Sequence, residues 1–204
     1  MDKIIIGENI NQKAIGYVLN AELSPKNQHA IAKIQKTLSE KLGSAIWNSP
    51  PVSLHITLFD WLAPLVDYGR DKTEIFEEIF AHYDRVIADA TRGVGTIVVK
   101  FDKIRVGPAA IWVEGSDNGQ FRKIREEFLS KVDLLPNTKL PPKIIHTTVS
   151  RYREEIDLAV VQKVVDEMKC SFVQEISGFR LIKETVDPML EFETIKTYPL
   201  TSVV

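Results

Sequence analysis

Two short strings pair a histidine with a threonine two residues on: His55-Ile56-Thr57-Leu58 and His146-Thr147-Thr148-Val149. Both lie in stretches that alternate in polarity, SLHITLFDWL and KIIHTTVSRY, which is the period of a strand with one buried face. Residues i and i+2 of a strand leave the same face, so each string presents one imidazole beside one hydroxyl. With an ordinary pKa near 6.5, one imidazole can be neutral and accept a proton while another is charged and donates one. Displacement of an alkoxide at phosphorus needs that pair of roles, and the hydroxyls can hold non-bridging oxygens in line. Neither role calls for a metal or other cofactor. The chain has no HExxH string, and Cys170 as its sole cysteine excludes an internal disulfide and a multi-cysteine zinc site.

The two strings share a context. Each follows the first helix expected in its half of the chain, and each is preceded by consecutive prolines, Pro50-Pro51 and Pro141-Pro142. Together they resemble the paired His-x-Thr-x signature of the two-histidine (2H) phosphoesterase superfamily, which includes the LigT-like bacterial RNA 2′,5′-ligases and cyclic nucleotide phosphodiesterases. The resemblance runs from about residue 14 to 200. It implies an α+β, bilobal fold with both motifs lining a central cleft. It also implies His55 and His146 as the acid–base pair, and Thr57 and Thr148 as ligands of the phosphate oxygens. The string HTTVSR is similar to the HxTLAR of the RNA-ligase-like branch, which makes Arg151 a candidate phosphate contact. Strict alternation points Arg151 away from His146, so that role needs a bulge. In the first motif Asp60 stands where that branch carries phenylalanine. Trp61 and Tyr152 each lie six residues past their histidine. On uninterrupted strands they share its face and are candidate stacking groups for a base.

The elements that must position these residues can be read in order. Residues 14–20 read as a strand, and Ser24-Pro25 as a helix start with Ile31, Ile34, Leu38 and Leu42 on its buried side and Gly43 as the stop. The first motif strand follows, then a helix from about Thr73 to before Gly93. Strands at 96–106 and 109–116 flank the Gly107-Pro108 turn, and a helix is expected from about Asn118 to Leu135. After the second motif come a helix bearing Leu158, Val161, Val164, Val165 and Met168, then strand-like segments SFVQEISGFRLIK and LEFETIKTYPL. The expectation is one α+β domain over residues 1–204, with antiparallel sheet, helices outside, and two interleaved lobes at about 14–92 and 95–200.

Composition narrows the function. The chain is 44% hydrophobic and 26% charged with net charge −2, an ordinary globular balance that does not mark a non-specific binder of long nucleic acid. No apolar run reaches the ~20 residues of a membrane span, and the start, MDKIIIGENINQK, is too short and too acidic for a signal peptide. These features fit a cytoplasmic protein, monomeric and without an obligate partner. The reading is a metal-independent phosphodiesterase whose substrate is a small nucleotide or RNA end bearing a 2′,3′-cyclic phosphate or a 2′–5′ linkage. Alternatives are hydrolysis of another cyclic nucleotide signal or of an ADP-ribose cyclic phosphate, or non-catalytic binding of nucleotide or RNA.

Overall fold

The computed structural model describes residues 4–7 and 9–202; parts of the amino-terminal stretch, residues 1–3 and 8, therefore lie outside the described residues. Strand β1 (Lys13–Glu22) opens the fold, and helix α1 (Pro25–Leu42) follows from the Ser24 cap, whose hydroxyl accepts the Asn27 N–H. A short strand β2 (Ile46–Asn48), absent from the sequence reading, leads to the first motif strand β3 (His55–Leu62). Helix α2 (Lys72–Thr91), strands β4 (Ile97–Val106) and β5 (Ala110–Ser116), and helix α3 (Gln120–Leu129) come next. The second motif strand β6 (Ile145–Tyr152), helix α4 (Leu158–Asp166) and strands β7 (Phe172–Ile176), β8 (Gly178–Val186) and β9 (Glu191–Pro199) complete it.

Helix α3 ends six residues before the expected Leu135. The Ser130 hydroxyl takes the Glu127 carbonyl, the acceptor that the Lys131 N–H would use in a continuing helix. Lys131 turns back to the Phe128 carbonyl instead.

The strands form two antiparallel sheets, β3-β1-β8-β9 and β2-β6-β5-β4-β7, designated sheets A and B. The sheets do not divide the chain near residues 92–95. Sheet A takes β1 and β3 from the first half and β8 and β9 from the end, the chain passing from B to A between Ile176 and Gly178. The helices cross over as well. Helix α1 leaves sheet A and packs on sheet B with α4, whereas α3 leaves sheet B and packs with α2 against sheet A. One continuous apolar core results, from Leu19, Ile56 and Trp61 to Val113, Val149 and Val161.

Arg125 on α3 joins the two motif strands. It is 6% exposed. Its Nε donates to the Leu58 carbonyl at 2.8 Å, Nη2 to the Thr57 carbonyl at 2.8 Å, and Nη1 to the Ile144 carbonyl at 3.2 Å. Strand β3 lies at the edge of its sheet, with β1 on one side only, so a side chain can reach backbone groups on the other. Arg125→Met removes all three bonds and strips the buried Leu58 carbonyl of this donor, and should lower unfolding free energy by about 1–3 kcal/mol. The urea midpoint at unchanged slope measures this, and Arg125→Lys, which lacks the planar fork, should recover only part of it.

Candidate active site

The strand alternation behaves as read for the first three positions of each motif. Ile56 and Thr147 are fully buried, while His55, Thr57, His146 and Thr148 keep partial exposure on the opposite face. Then each strand bulges. In β3, Thr57 lies opposite Asn20 and Phe59 opposite Leu19, leaving Leu58 as an extra residue. In β6, Thr148 lies opposite Trp112 and Ser150 opposite Ile111, leaving Val149 as the extra one. Leu58 and Val149 occupy the same place, three residues past their histidines.

The twin bulges decide which later residues reach the cleft. The shifted phase returns Asp60 and Arg151, each five residues past its histidine, to the histidine face, and buries Phe59 and Ser150. It also corrects the reading of Trp61 and Tyr152 as base-stacking groups, because both point into the core, at 1% and 0% exposure. Trp61 packs among Phe76, Phe80 and Tyr83 at ring separations of 5.3–6.2 Å. Tyr17 on β1 is also buried, stacked on Phe76 at 3.8 Å.

The carbonyls freed at the bulges are satisfied from helices of opposite origin. Arg125 serves Leu58, whereas the Val149 carbonyl accepts from the Ser49 N–H at 3.0 Å and from Gln35 Nε2 at 2.9 Å. The two histidines thus sit on pinned strand segments that pack against each other.

Around His55 the hydrogen bonds settle the tautomer. Nδ1–H donates to the Ser53 carbonyl at 2.8 Å, which leaves Nε2 as an acceptor 3.1 Å from Thr57 Oγ1. Ser53 is itself tied down, its hydroxyl donating to the Pro188 carbonyl in the β8–β9 loop. Burial pushes the His55 pKa down to about 4 despite the favourable Ser53 carbonyl, and the positive charges of Arg180, His146 and Arg151 act in the same direction. His146 is also lowered, first by burial and then by the Arg125 cation, with Glu114 opposing.

Beside His55 and Thr57 lies a cavity of about 150 Å³ bounded also by Asp60, Arg151, Glu184 and Met189. Arg151 Nε is buried there without an acceptor. The opposite wall is acidic. Burial raises Asp60 to about 6, with Lys139 pulling the other way, and raises Glu184 to about 7 although the Met189 N–H binds its carboxylate. Asp187 is raised too, chiefly by burial. Among the described residues no group of three or more His, Cys, Asp or Glu side chains is arranged to hold a metal ion, and no helix is long and apolar enough to cross a membrane.

The sequence reading missed Ser53, Arg125 and Arg180. Arginines on a helix and a late strand carry no sequence mark that places them near a histidine. Trp112 was also missed, although it alternates with the core residues Ile111 and Val113 and must therefore face the histidine side. Its ring lies 6.4 Å from that of His146.

No protein-family model matches the chain, and no curated protein matches it in sequence. Solved structures match in fold. TT0787 of Thermus thermophilus is 13% identical at a TM-score of 0.65, over 92% of this chain and 98% of that one. Escherichia coli LigT complexed with 3′-AMP is 11% identical at a TM-score of 0.61, over 93% of this chain and all of its own. The MHV ns2 PDE domain is 17% identical at a TM-score of 0.52, over 83% and 98%. The architecture is therefore the two-histidine phosphoesterase fold that the motifs resemble.

The shifted groups make stability depend on pH in opposed ways. Folding lowers the His55 pKa from 6.5, so its contribution is complete above pH 6.5 and is lost as pH falls toward about 4. Folding raises Asp60 from 3.8, so its contribution is complete below pH 3.8 and is lost as pH rises through about 6. Asp60→Asn should therefore gain stability over wild type above pH 6 and show no such gain near pH 4 in denaturant titrations. In NMR titrations the His55 ring should stay neutral to about pH 4.

Proposed function

We propose that this protein is a phosphodiesterase using His55 and His146 as an acid–base pair, without a metal, on a 2′,3′-cyclic phosphate or a 2′–5′ linkage of a nucleotide or RNA end. The observation that carries this reading is the matched presentation of imidazole and hydroxyl from two adjoining strands, with Arg151 turned to the same side by the bulge. The likeness in fold to LigT, which has been solved with 3′-AMP, agrees with a nucleotide ligand.

The histidines differ enough to divide the work. His55 is neutral at neutral pH, its Nε2 lone pair is directed at the Thr57 hydroxyl, which a bound phosphate would draw away, and the Ser53 carbonyl stabilises the imidazolium it would become. We assign it as the base that takes a proton from water while the water oxygen bonds to phosphorus. His146, in its protonated form, gives a proton to the departing ribose oxygen as the P–O bond breaks. An anionic phosphate between the rings raises both pKa values and favours that charged form. Thr57, Thr148 and Arg151 donate to the non-bridging oxygens, where charge accumulates.

Hydrolysis of nucleoside 2′,3′-cyclic phosphates in EDTA tests the reading. Turnover should persist, and His55→Ala and His146→Ala should each reduce kcat by about 10²–10⁴-fold. The pH profile of kcat/KM should fall on the alkaline side as His146 loses its proton, and its acid limb should lie below pH 6.5. Activity indifferent to either substitution overturns the assignment.

A further inference from the structure

The pseudo-twofold relation between the motifs extends two strands beyond them. On sheet A, Thr57, Asn20 and Arg180 stand directly opposite one another on β3, β1 and β8. On sheet B the matching row is Thr148, Trp112 and Arg105 on β6, β5 and β4. A glutamate lies opposite each histidine, Glu22 by His55 and Glu114 by His146. Each glutamate meets the arginine of its row at 3.4 Å.

The two rows are used differently. The sheet A row is closed. Arg180 is bound through Nε to Asn20 Oδ1 at 2.9 Å, lies over the Phe192 ring at 4.8 Å, and keeps only 15% side-chain exposure. Met189 folds over Val18 and Ile182 beside it. The sheet B row is open. Arg105 keeps 49% side-chain exposure, and Lys103 and Lys100 beyond it are exposed. Trp112 is partly exposed, its six-membered ring seated against Gly107, where a Cβ would come within 2.5 Å of Cζ3. An aromatic plane followed by a cation, on the open face of a sheet, suits a stacked base and the next phosphate.

We infer that the Trp112–Arg105 row is a subsite for the nucleotide adjoining the reacting phosphate, so that RNA ends of two or more nucleotides are preferred over mononucleotides. This rests on the proposed reaction. With phosphate held at Thr148 and His146, the neighbouring base stacks on Trp112. The next phosphate displaces Glu114 from Arg105, about two strand spacings, roughly 10 Å, from Thr148. Stacking tolerates any base, so the subsite reads length rather than sequence.

The test compares kcat/KM for ApA 2′,3′-cyclic phosphate with that for adenosine 2′,3′-cyclic phosphate. Wild type should favour the dinucleotide about tenfold or more; Trp112→Ala, which removes the platform for the base that both compounds carry, should lower kcat/KM for both, and Trp112→Phe should largely keep it. Arg105→Ala should lower the ratio and reduce the salt dependence for the dinucleotide by about 0.7 in log–log slope. A wild-type ratio near one, a ratio unmoved in Arg105→Ala, or kcat/KM for both compounds unmoved in Trp112→Ala overturns the subsite. If neither compound is hydrolysed, the proposed reaction fails, and equilibrium titration with ApA 3′-phosphate and adenosine 3′-phosphate decides the subsite. Tighter dinucleotide binding that is lost in Arg105→Ala supports it, and equal binding overturns it.

Discussion

Both candidate catalytic strands are held in place by a buried cation to which no carboxylate among the described residues is bonded. Arg125 has peptide carbonyls as its hydrogen-bond partners, and Asp117 favours its charge only from a distance. Burial lowers its pKa to about 10, so it remains charged at neutral pH. A buried charge is expensive unless its donors are used. Here they meet the bulged segment of β3 and the residue just before β6, so the cost of desolvation is set against three hydrogen bonds to backbone carbonyls, that of Leu58 fully buried. The same charge disfavours a proton on His146. One group therefore fixes the distance between the motifs and part of the field in which they titrate.

The bulges explain why such a clamp is needed. An extra residue three places past each histidine breaks the ladder and frees a carbonyl, and in return it brings a fifth-position side chain back to the cleft. The fold answers each break with a helix from the other side of the molecule. Helix α1, continuing from sheet A, supplies Gln35 to β6, and α3, continuing from sheet B, supplies Arg125 to β3. The reciprocal crossing ties the sheets together at the two points where strand pairing is weakest. The answers differ in charge, a neutral amide at one bulge and a guanidinium at the other.

Much of this was legible in the sequence, and what was missed has a common cause. The His-x-Thr pairs, the period-two alternation, and the caps at Ser24 and Gly43 are local signals, and the elements they mark are present. Trp61 and Tyr152 were misplaced because a bulge is a property of two strands, invisible in the residues of one. Asp60 and Arg151 came to the cleft for the same reason. The destinations of β7 and β8 were hidden likewise, since adjacent strand-like segments give no sign that one joins β4 and the other β1. Arg125 was unreadable because a helical arginine beside Glu126 and Glu127 reads as a solvated face until the helix is packed. Trp112 was the exception, a residue that simple alternation could have placed.

A symmetric scaffold has in this way become an asymmetric site. The fifth position is an arginine in one motif and an aspartate in the other, and both side chains border the same cavity. In the proposed reaction, a phosphate bound to Arg151 would face Asp60, Glu184 and Asp187 on the opposite wall of that cavity. On the proposed subsite, the closed row on sheet A and the open row on sheet B would leave a bound chain one direction in which to extend. In the proposed reaction, the neutral His55 and the difference between the two rows would together set which substrate oxygen meets the base and which meets the acid. The direction of the proposed reaction follows from where the twofold relation fails, because a strictly symmetric site would bind substrate equally well in either orientation.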